Sequence, residues 1–283
     1  MNLITFDSLR TLHLPVVRYV KPDHFLRHET EIRAADWVLF PEYWQLNTLH
    51  YAWNCRVFPS PATYVLGHDK VEMTRVFRAV VPNNTPDTII ASNTPSEQER
   101  IWDVMDTPYV AKIPRASMGE GVFLINERRQ WRDYCAITPV LYAQEYLPID
   151  RDMRIIVVGK QILGGYWRLQ SDNGFHNNVS QGGIVEHAPL HPAAIELVVT
   201  LAQRLNIDHA GFDVAMVGNH PYVFEFNRLF GNQGMPRMDQ ALAAAIQPYL
   251  YEQLPKDVVS MPLDQLVAAG TVTLVDTDNT QAS

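Results

Sequence analysis

Glu225 and Asn227 stand one residue apart in the run PYVFEFNRLFGNQG, and Asp213 lies upstream in GFDVAMVGNHP. Val214 to Val217 and Tyr222 to Phe226 are apolar, β-branched or aromatic and flank Gly218-Asn219, which predicts an antiparallel hairpin with a tight turn. Side chains alternate along a strand, so Glu225 and Asn227 share a face, and a tight register brings Asp213 beside them. Two carboxylates and an amide oxygen gathered in this way suit Mg²⁺, which takes one or two carboxylates plus nucleotide phosphates rather than a closed protein cage. A hairpin that only keeps a solvated outer face would show the same pattern.

A second group of residues suits phosphate. Lys112 ends the apolar stretch YVAKI and precedes PRASMGEG, where Gly119 and Gly121 allow backbone N–H groups to close over an anion. Taken alone, two glycines between strands are more often a plain turn. In AQEYLP, the acidic Glu145 and exposed strand backbone could hydrogen-bond an adenine edge while Tyr146 and Leu147 pack on the ring, although a core strand is the commoner explanation of such a run.

The elements that must carry these residues follow from punctuation and period. Residues 1–68 read as a small α/β unit with a buried strand over Ala35 to Phe40 and a break at Pro59-Ser60-Pro61. A helix is predicted from near Asp69, with Val71, Val76, Phe77 and Val80 on its apolar stripe. Strands YVAKI and VFLI, a helix over ERRQWRDYCA and a strand from Leu141 to Leu147 follow. Arg154 to Val158 and Gln161 to Arg168 predict a hairpin through Gly159-Lys160. After a polar loop from Gln170 to Gly183, PAAIELVVTLAQRLNI predicts an amphipathic helix with Ile195, Val198, Val199, Ala202 and Leu205 at helical spacing. No internal repeat is visible, and VDTDNTQAS reads as a frayed tail.

Composition narrows the function. The 283-residue chain is 47% hydrophobic with a formal net charge of -8, which excludes a disordered chain and argues against nucleic-acid partners. Cys55 and Cys135 lack the spacing of a zinc or redox motif, so a reducing compartment is expected. The opening MNLITFDSLRTLHLP lacks a basic segment before an apolar core, and no run of about 18 apolar residues occurs, so no membrane contact and a cytoplasmic location are expected.

The order of these signals resembles that of the ATP-grasp superfamily, and within it most closely the RimK-type ligases that add amino acids through amide bonds. The succession is Lys70, Lys112, the loop to Gly119-Glu120-Gly121, Gln144-Glu145-Tyr146-Leu147, Asp152-Met153-Arg154, Arg168, Phe175-His176-Asn177-Asn178, Asp213 and Glu225-Phe226-Asn227. The resemblance runs from about Asp69 to Gly234 and implies an α/β (α+β) ATP-grasp fold, two lobes clamping ATP behind a small N-terminal α/β domain. The corresponding divisions are 1–68, a small lobe 69–145, a large lobe 146–275 and a tail 276–283.

By that resemblance Lys70 and Lys112 hold the nucleotide phosphates. The segment Pro114 to Gly121, with Ser117, Met118, Gly119 and Gly121, covers those phosphates, and Gln144, Glu145, Tyr146 and Leu147 belong to the adenine-binding strand. Arg154, Arg168 and Asn178 face the transferred phosphate and the carboxylate substrate, and Asp213, Glu225 and Asn227 hold Mg²⁺, with Mn²⁺ as the alternative ion. The chain departs from the family where Arg228-Leu229-Phe230-Gly231 replaces the usual Ser-Pro-Gly turn and where His176 replaces an arginine. The implied reaction activates a carboxylate as an acyl phosphate at the expense of ATP and joins it to an amine. The substrates are a small-molecule carboxylate and an amine, the latter a free amino acid, a peptide or a protein terminus. A phosphotransferase acting on a small acceptor, and a nucleotide-responsive binding protein without turnover, are the competing readings. Nothing in the sequence sets the oligomeric state.

Overall fold

The structure, a computed structural model, describes residues 1–15, 17–116, 121–169, 184–231, 235 and 237–254. The predicted loop from Gln170 to Gly183 and the tail VDTDNTQAS lie outside them, as do Asn178, Ser117, Met118 and Gly119.

The N-terminal part contains β1 (Leu3–Thr5), β2 (Val17–Tyr19), α1 (Glu29–Arg33), β3 (Trp37–Leu39), β4 (Val57–Phe58) and α2 (Pro61–Leu66). Its four strands are parallel, in the order β2-β1-β3-β4. The strand predicted over Ala35 to Phe40 shortens to the buried core of β3, because Phe40 turns out of it at φ 47.

Next come α3 (Lys70–Val80), β5 (Thr88–Ser92), α4 (Pro95–Val104), β6 (Tyr109–Lys112), β7 (Val122–Ile125), α5 (Arg128–Cys135) and β8 (Val140–Glu145). The second sheet runs β5-β8-β6-β7, antiparallel throughout. Ile101 of α4 and Trp131 and Tyr134 of α5 pack on it against Tyr109, Ala111, Ile125, Leu141 and Ala143. The predicted helix ERRQWRDYCA begins at Arg128, with Glu127 and Gln130 exchanging the two bonds of a capping box. The predicted strand ending at Leu147 stops at Glu145.

The rest comprises β9 (Arg151–Val158), β10 (Gln161–Leu169), β11 (Ile184–Glu186), α6 (Pro192–Arg204), β12 (His209–Val217), β13 (His220–Asn227) and α7 (Met238–Glu252). The third sheet is antiparallel in the order β11-β10-β9-β12-β13. One face is apolar along its whole length: Met153, Ile155, Phe212, Val214 and Phe226 pack against α6 and against Met73 and Phe77 of α3. The buried stripe of α6 is Ala194, Leu197, Val198, Leu201 and Ala202, one residue round from the stripe expected. The helix is apolar on most sides, so the packing partner selects the face, and small Ala194 and Ala202 allow close approach. On α3 the buried residues are Val71, Met73, Thr74 and Phe77, with Val76 and Val80 at the edge.

The opposite face of the third sheet is divided. Ile156, Val158 and Tyr166 pack on Met238, Leu242, Ile246 and Leu250 of α7 and on Leu39 and Phe58 of the N-terminal sheet. Farther along the same strands stand Asp152, Arg154, Arg168 and Asp213, all buried. Among the described residues, no helix is long and apolar enough to cross a membrane.

Candidate active site

The charged half of this face is assembled by register. Asp213 is opposite Glu225 on one side and Arg154 on the other, Asn227 is opposite Gly211, and Arg168 is opposite Asp152. Asp213, Glu225 and Asn227 therefore share a face as the alternation of the hairpin requires. A bulge follows Asp213: Val214 pairs with Val223, which leaves Phe224 as the extra residue and keeps Glu225 across from Asp213. Gly211 is required for space, because a Cβ there would lie 2.7 Å from Arg154 Cδ.

Arg154 reaches Asp213 with both Nε and Nη2, the latter 3.0 Å from Oδ2. Arg168 grips Asp152 through Nε and Nη2, each at 2.7 Å, and its Nη2 also lies 3.0 Å from Asp213 Oδ2. The two guanidiniums expected to face a substrate carboxylate are thus engaged by carboxylates of the protein. Burial works against charge on Arg168, but Asp213 and Asp152 outweigh it and raise its pKa. The family resemblance gives Asp152 no role of its own. Its position two residues before Arg154, hence on the same face, was the signal that could have found it.

Two lysines approach from the other side. Asp69 caps α3 by accepting from Val71 N at 2.8 Å, which fixes Lys70 in the first turn. Lys70 is not a solvated helix residue: Nζ donates to Ala116 O at 2.6 Å and lies 3.4 Å from Glu225 Oε2. Asp69 also pairs with Arg115, and Lys70 N donates to Pro114 O, so the start of α3 is tied to the start of the predicted phosphate cover. Gly121 closes that segment at φ +77, with its carbonyl accepting from Ile113 N at 2.7 Å. A Cβ there would sit 2.6 Å from Ala116 Cβ, so only glycine closes this turn.

Lys112 is buried at the end of β6, where Nζ donates to Gln144 Oε1 at 2.7 Å and lies 5.5 Å from the centre of the Phe224 ring. Burial lowers its pKa to about 8, partly offset by Glu225. Burial would raise the Glu225 carboxyl, but Lys70, Lys112 and Arg154 together hold it below the usual range. Gln144 in turn donates to Thr88 Oγ1 at 2.9 Å and to the Tyr142 hydroxyl at 3.3 Å. Its amide is therefore committed to orienting Lys112. Glu145 accepts from Asp87 N through Oε1 at 2.8 Å, so its carboxylate holds the edge of β5. Tyr146 and buried Leu147 follow the end of β8.

The donor set fits Mg²⁺. Two carboxylates and one amide oxygen are hard donors of the kind Mg²⁺ takes beside phosphate and water; among the described residues no group of three or more His, Cys, Asp or Glu is placed to hold a metal ion. Of the two carboxylates Glu225 is the less engaged: among the described residues it meets Lys70 at 3.4 Å and Asn227 Nδ2 at 3.4 Å. Asp213 already accepts from three guanidinium N–H directions, leaving one of the roughly four lone-pair sites of a carboxylate.

Residues 68–249 match the family model of the RimK-like ATP-grasp domain. A probable alpha-L-glutamate ligase of Enterobacter sp. (strain 638) is 28% identical over 158 residues, which are 54% of this chain and 53% of that protein. The chain thus spans about half the length of the curated relatives it matches. The RimK domain ATP-grasp protein of Sphaerobacter thermophilus DSM 20745 superposes with TM-score 0.63 at 14% identity, over 87% of this chain and 100% of that one. The D-alanine–D-alanine ligase of Bacillus anthracis complexed with ATP gives TM-score 0.61 at 14% identity, over 87% and 88%.

Proposed function

The chain belongs to the RimK-like ATP-grasp family, and on that premise we propose that it is an ATP- and Mg²⁺-dependent ligase joining the carboxylate of an amino acid or peptide to an amine. The observation that carries this reading is the convergence of Lys70 on Glu225 and of Asp213 on two arginines at one end of the third sheet, with buried Lys112 above.

Lys112 and Lys70 neutralise nucleotide phosphates as point charges, and Gln144 keeps Lys112 aimed. Glu225 and Asn227, with Asp213, would hold Mg²⁺, which when bound would supply further neutralisation of phosphate charge. Arg154 and Arg168 form rigid forks suited to a carboxylate or phosphoryl group, and substrate would compete with Asp213 and Asp152 for them. The substrate carboxylate attacks the γ-phosphorus, a new O–P bond forms, and the bond to the β–γ bridging oxygen breaks to release ADP. The amine nitrogen then attacks the acyl carbon, forming C–N and breaking the C–O bond to phosphate. The departing phosphate takes up the proton that the amine sheds. The tie between Lys70 and Ala116 would help to exclude water that would hydrolyse the acyl phosphate.

The similarity to a probable alpha-L-glutamate ligase supports the ligase reading over a phosphotransferase. The deciding test is a screen of amino-acid and dipeptide pairs for ADP release, with mass analysis of the products. A ligase releases ADP only when carboxylate and amine are both present and yields their condensed mass. ADP release with a hydroxyl compound alone, giving its phosphate ester, would replace this reading.

A further inference from the structure

We infer that His209 is a positioning residue for Asn227: it holds the turn of residues 228–231 from the buried end of β12 and so fixes where the Asn227 amide stands. That role rests on the proposed assignment of Asn227 to Mg²⁺.

His209, Gly211 and Asp213 are alternate residues of β12 and share one face, the face that carries the charged network. Asp213 stands at the cleft, Gly211 is directly opposite Asn227 of β13, and His209 is opposite Val158 of β9. A strand residue is ordinarily flanked by the side chain across the ladder, and Gly211 offers Asn227 none. Phe230 fills that space, with its Cβ and Cγ 3.0 and 3.2 Å from where a Gly211 Cβ would be. The chain thus folds back over β12 within three residues of Asn227, although no proline stiffens residues 228–231.

His209 is what holds this turn. Its Nδ1 donates to Arg228 O at 2.9 Å, and Phe230 stacks on its ring with centres 4.9 Å apart. The residue that directly follows Asn227 and the residue that fills the gap across from it are therefore anchored to one side chain. Phe40 and Phe58, at the carboxyl ends of β3 and β4, meet the imidazole edge-on at 5.2 and 5.6 Å. The N-terminal sheet fixes the ring in turn.

The imidazole is an odd choice for such a cage. Burial keeps it neutral, with its pKa pushed down to about 3, and Nε2 is buried without a hydrogen-bond partner among the described residues. A buried acceptor left unpaired lowers stability. A phenyl ring would fill the same aromatic surroundings without that cost, so what the imidazole adds is the bond to Arg228 O. That bond falls on the backbone next to a proposed metal ligand, and its benefit is to the site rather than to the core.

The test is ADP affinity measured by calorimetry with Mg²⁺ and again with EDTA, the ratio giving the gain due to the metal. His209→Phe keeps the stack and removes the N–H. It should melt within about 4 °C of wild type and keep its metal-free ADP affinity within about twofold, while the gain falls about tenfold. His209→Asn keeps an N–H donor near the place of Nδ1 but empties part of the cage, so it should melt lower yet keep the gain within about threefold. Phe230→Leu removes the stacked ring and leaves the Nδ1 bond; its gain should fall about threefold, which reads the same link should His209→Phe not fold. A gain that follows melting temperature instead, kept in His209→Phe and lost in His209→Asn, would make His209 a packing residue and overturn the inference. A wild-type gain in Phe230→Leu, or no gain in wild type, would overturn it as well. Ligation by wild type alongside any of those results leaves the ligase reading intact. The expected separation of gain from melting temperature, without ADP release for any substrate pair, leaves the role of His209 standing and removes the ligase reading.

Discussion

Asp208 and Asp213 belong to one stretch of chain, just before and within β12, and each is only 4% exposed, yet they are buried in different company. Asp208 accepts from Ser60 N at 2.7 Å, the Thr63 hydroxyl at 3.2 Å and the Tyr249 hydroxyl at 3.2 Å. Every one of these donors is neutral, and together they tie the N-terminal part to β12 and α7. Burial pushes its carboxyl up to about 6, against the pull of those hydrogen bonds. Asp213 is held by Arg154 and Arg168, and Arg168 is shared with Asp152. Burial by itself thus does not mark a functional carboxylate. Neutral donors make a fixed knot, while the guanidiniums around Asp213 make a charged network of the kind that, on the proposed ligase reading, a substrate anion would enter.

The comparison breaks most visibly in turnover. Asp213→Asn and Glu225→Gln should each lower the rate of ADP release at least ~100-fold, the scale of losing transition-state charge stabilisation, with little change in melting temperature. Rates near wild type at ordinary Mg²⁺ concentrations would return the hairpin to a merely structural role. Asp208→Ala should do the reverse. Leaving three buried donors unsatisfied costs about 2–3 kcal/mol in denaturant unfolding, while turnover per folded molecule changes far less. The native Asp208 carboxyl holds its proton up to about 6, whereas the unfolded one releases it near 3.8. The native state then binds more protons across that interval, so this group's contribution to stability declines as pH rises through it, and Asp208→Asn should flatten the slope.

A smaller effect is expected at Lys112. Lys112→Met should weaken ADP binding about tenfold, the value of one charge-assisted contact. In wild type, affinity should fall as pH rises through about 8, because burial has already lowered the lysine into that range and phosphate binds its charged form. ADP binding near that pH should take up a proton, seen as a dependence of the calorimetric enthalpy on the buffer. The smallest effect, less than about twofold, is expected for Lys160→Met, in the turn between β9 and β10 and away from the other cations.

The β12–β13 hairpin was legible because period-two alternation and the Gly218-Asn219 turn are local, and the bulge at Phe224 leaves Asp213, Glu225 and Asn227 on one face. Lys112 was legible as a polar residue closing an apolar strand. The pairing of Arg154 with Asp213 was not, since it depends on β9 lying beside β12, a neighbour far along the chain. The Gln144 amide is bonded to Lys112, Thr88 and Tyr142, partners set by the strands on either side of β8 and so not readable from the run AQEYLP itself. The α6 stripe was displaced for a related reason, because spacing alone cannot choose among apolar faces.

The central claim is that a carboxylate oxygen becomes bonded to phosphorus at the cleft built on Asp213, Glu225 and Lys112. It is tested most directly by supplying a substrate carboxylate with a heavy-oxygen label and examining the phosphate released during turnover. The account predicts one labelled oxygen in each phosphate formed, and no labelled phosphate from Glu225→Gln beyond its residual rate. Unlabelled phosphate released alongside condensed product would contradict it.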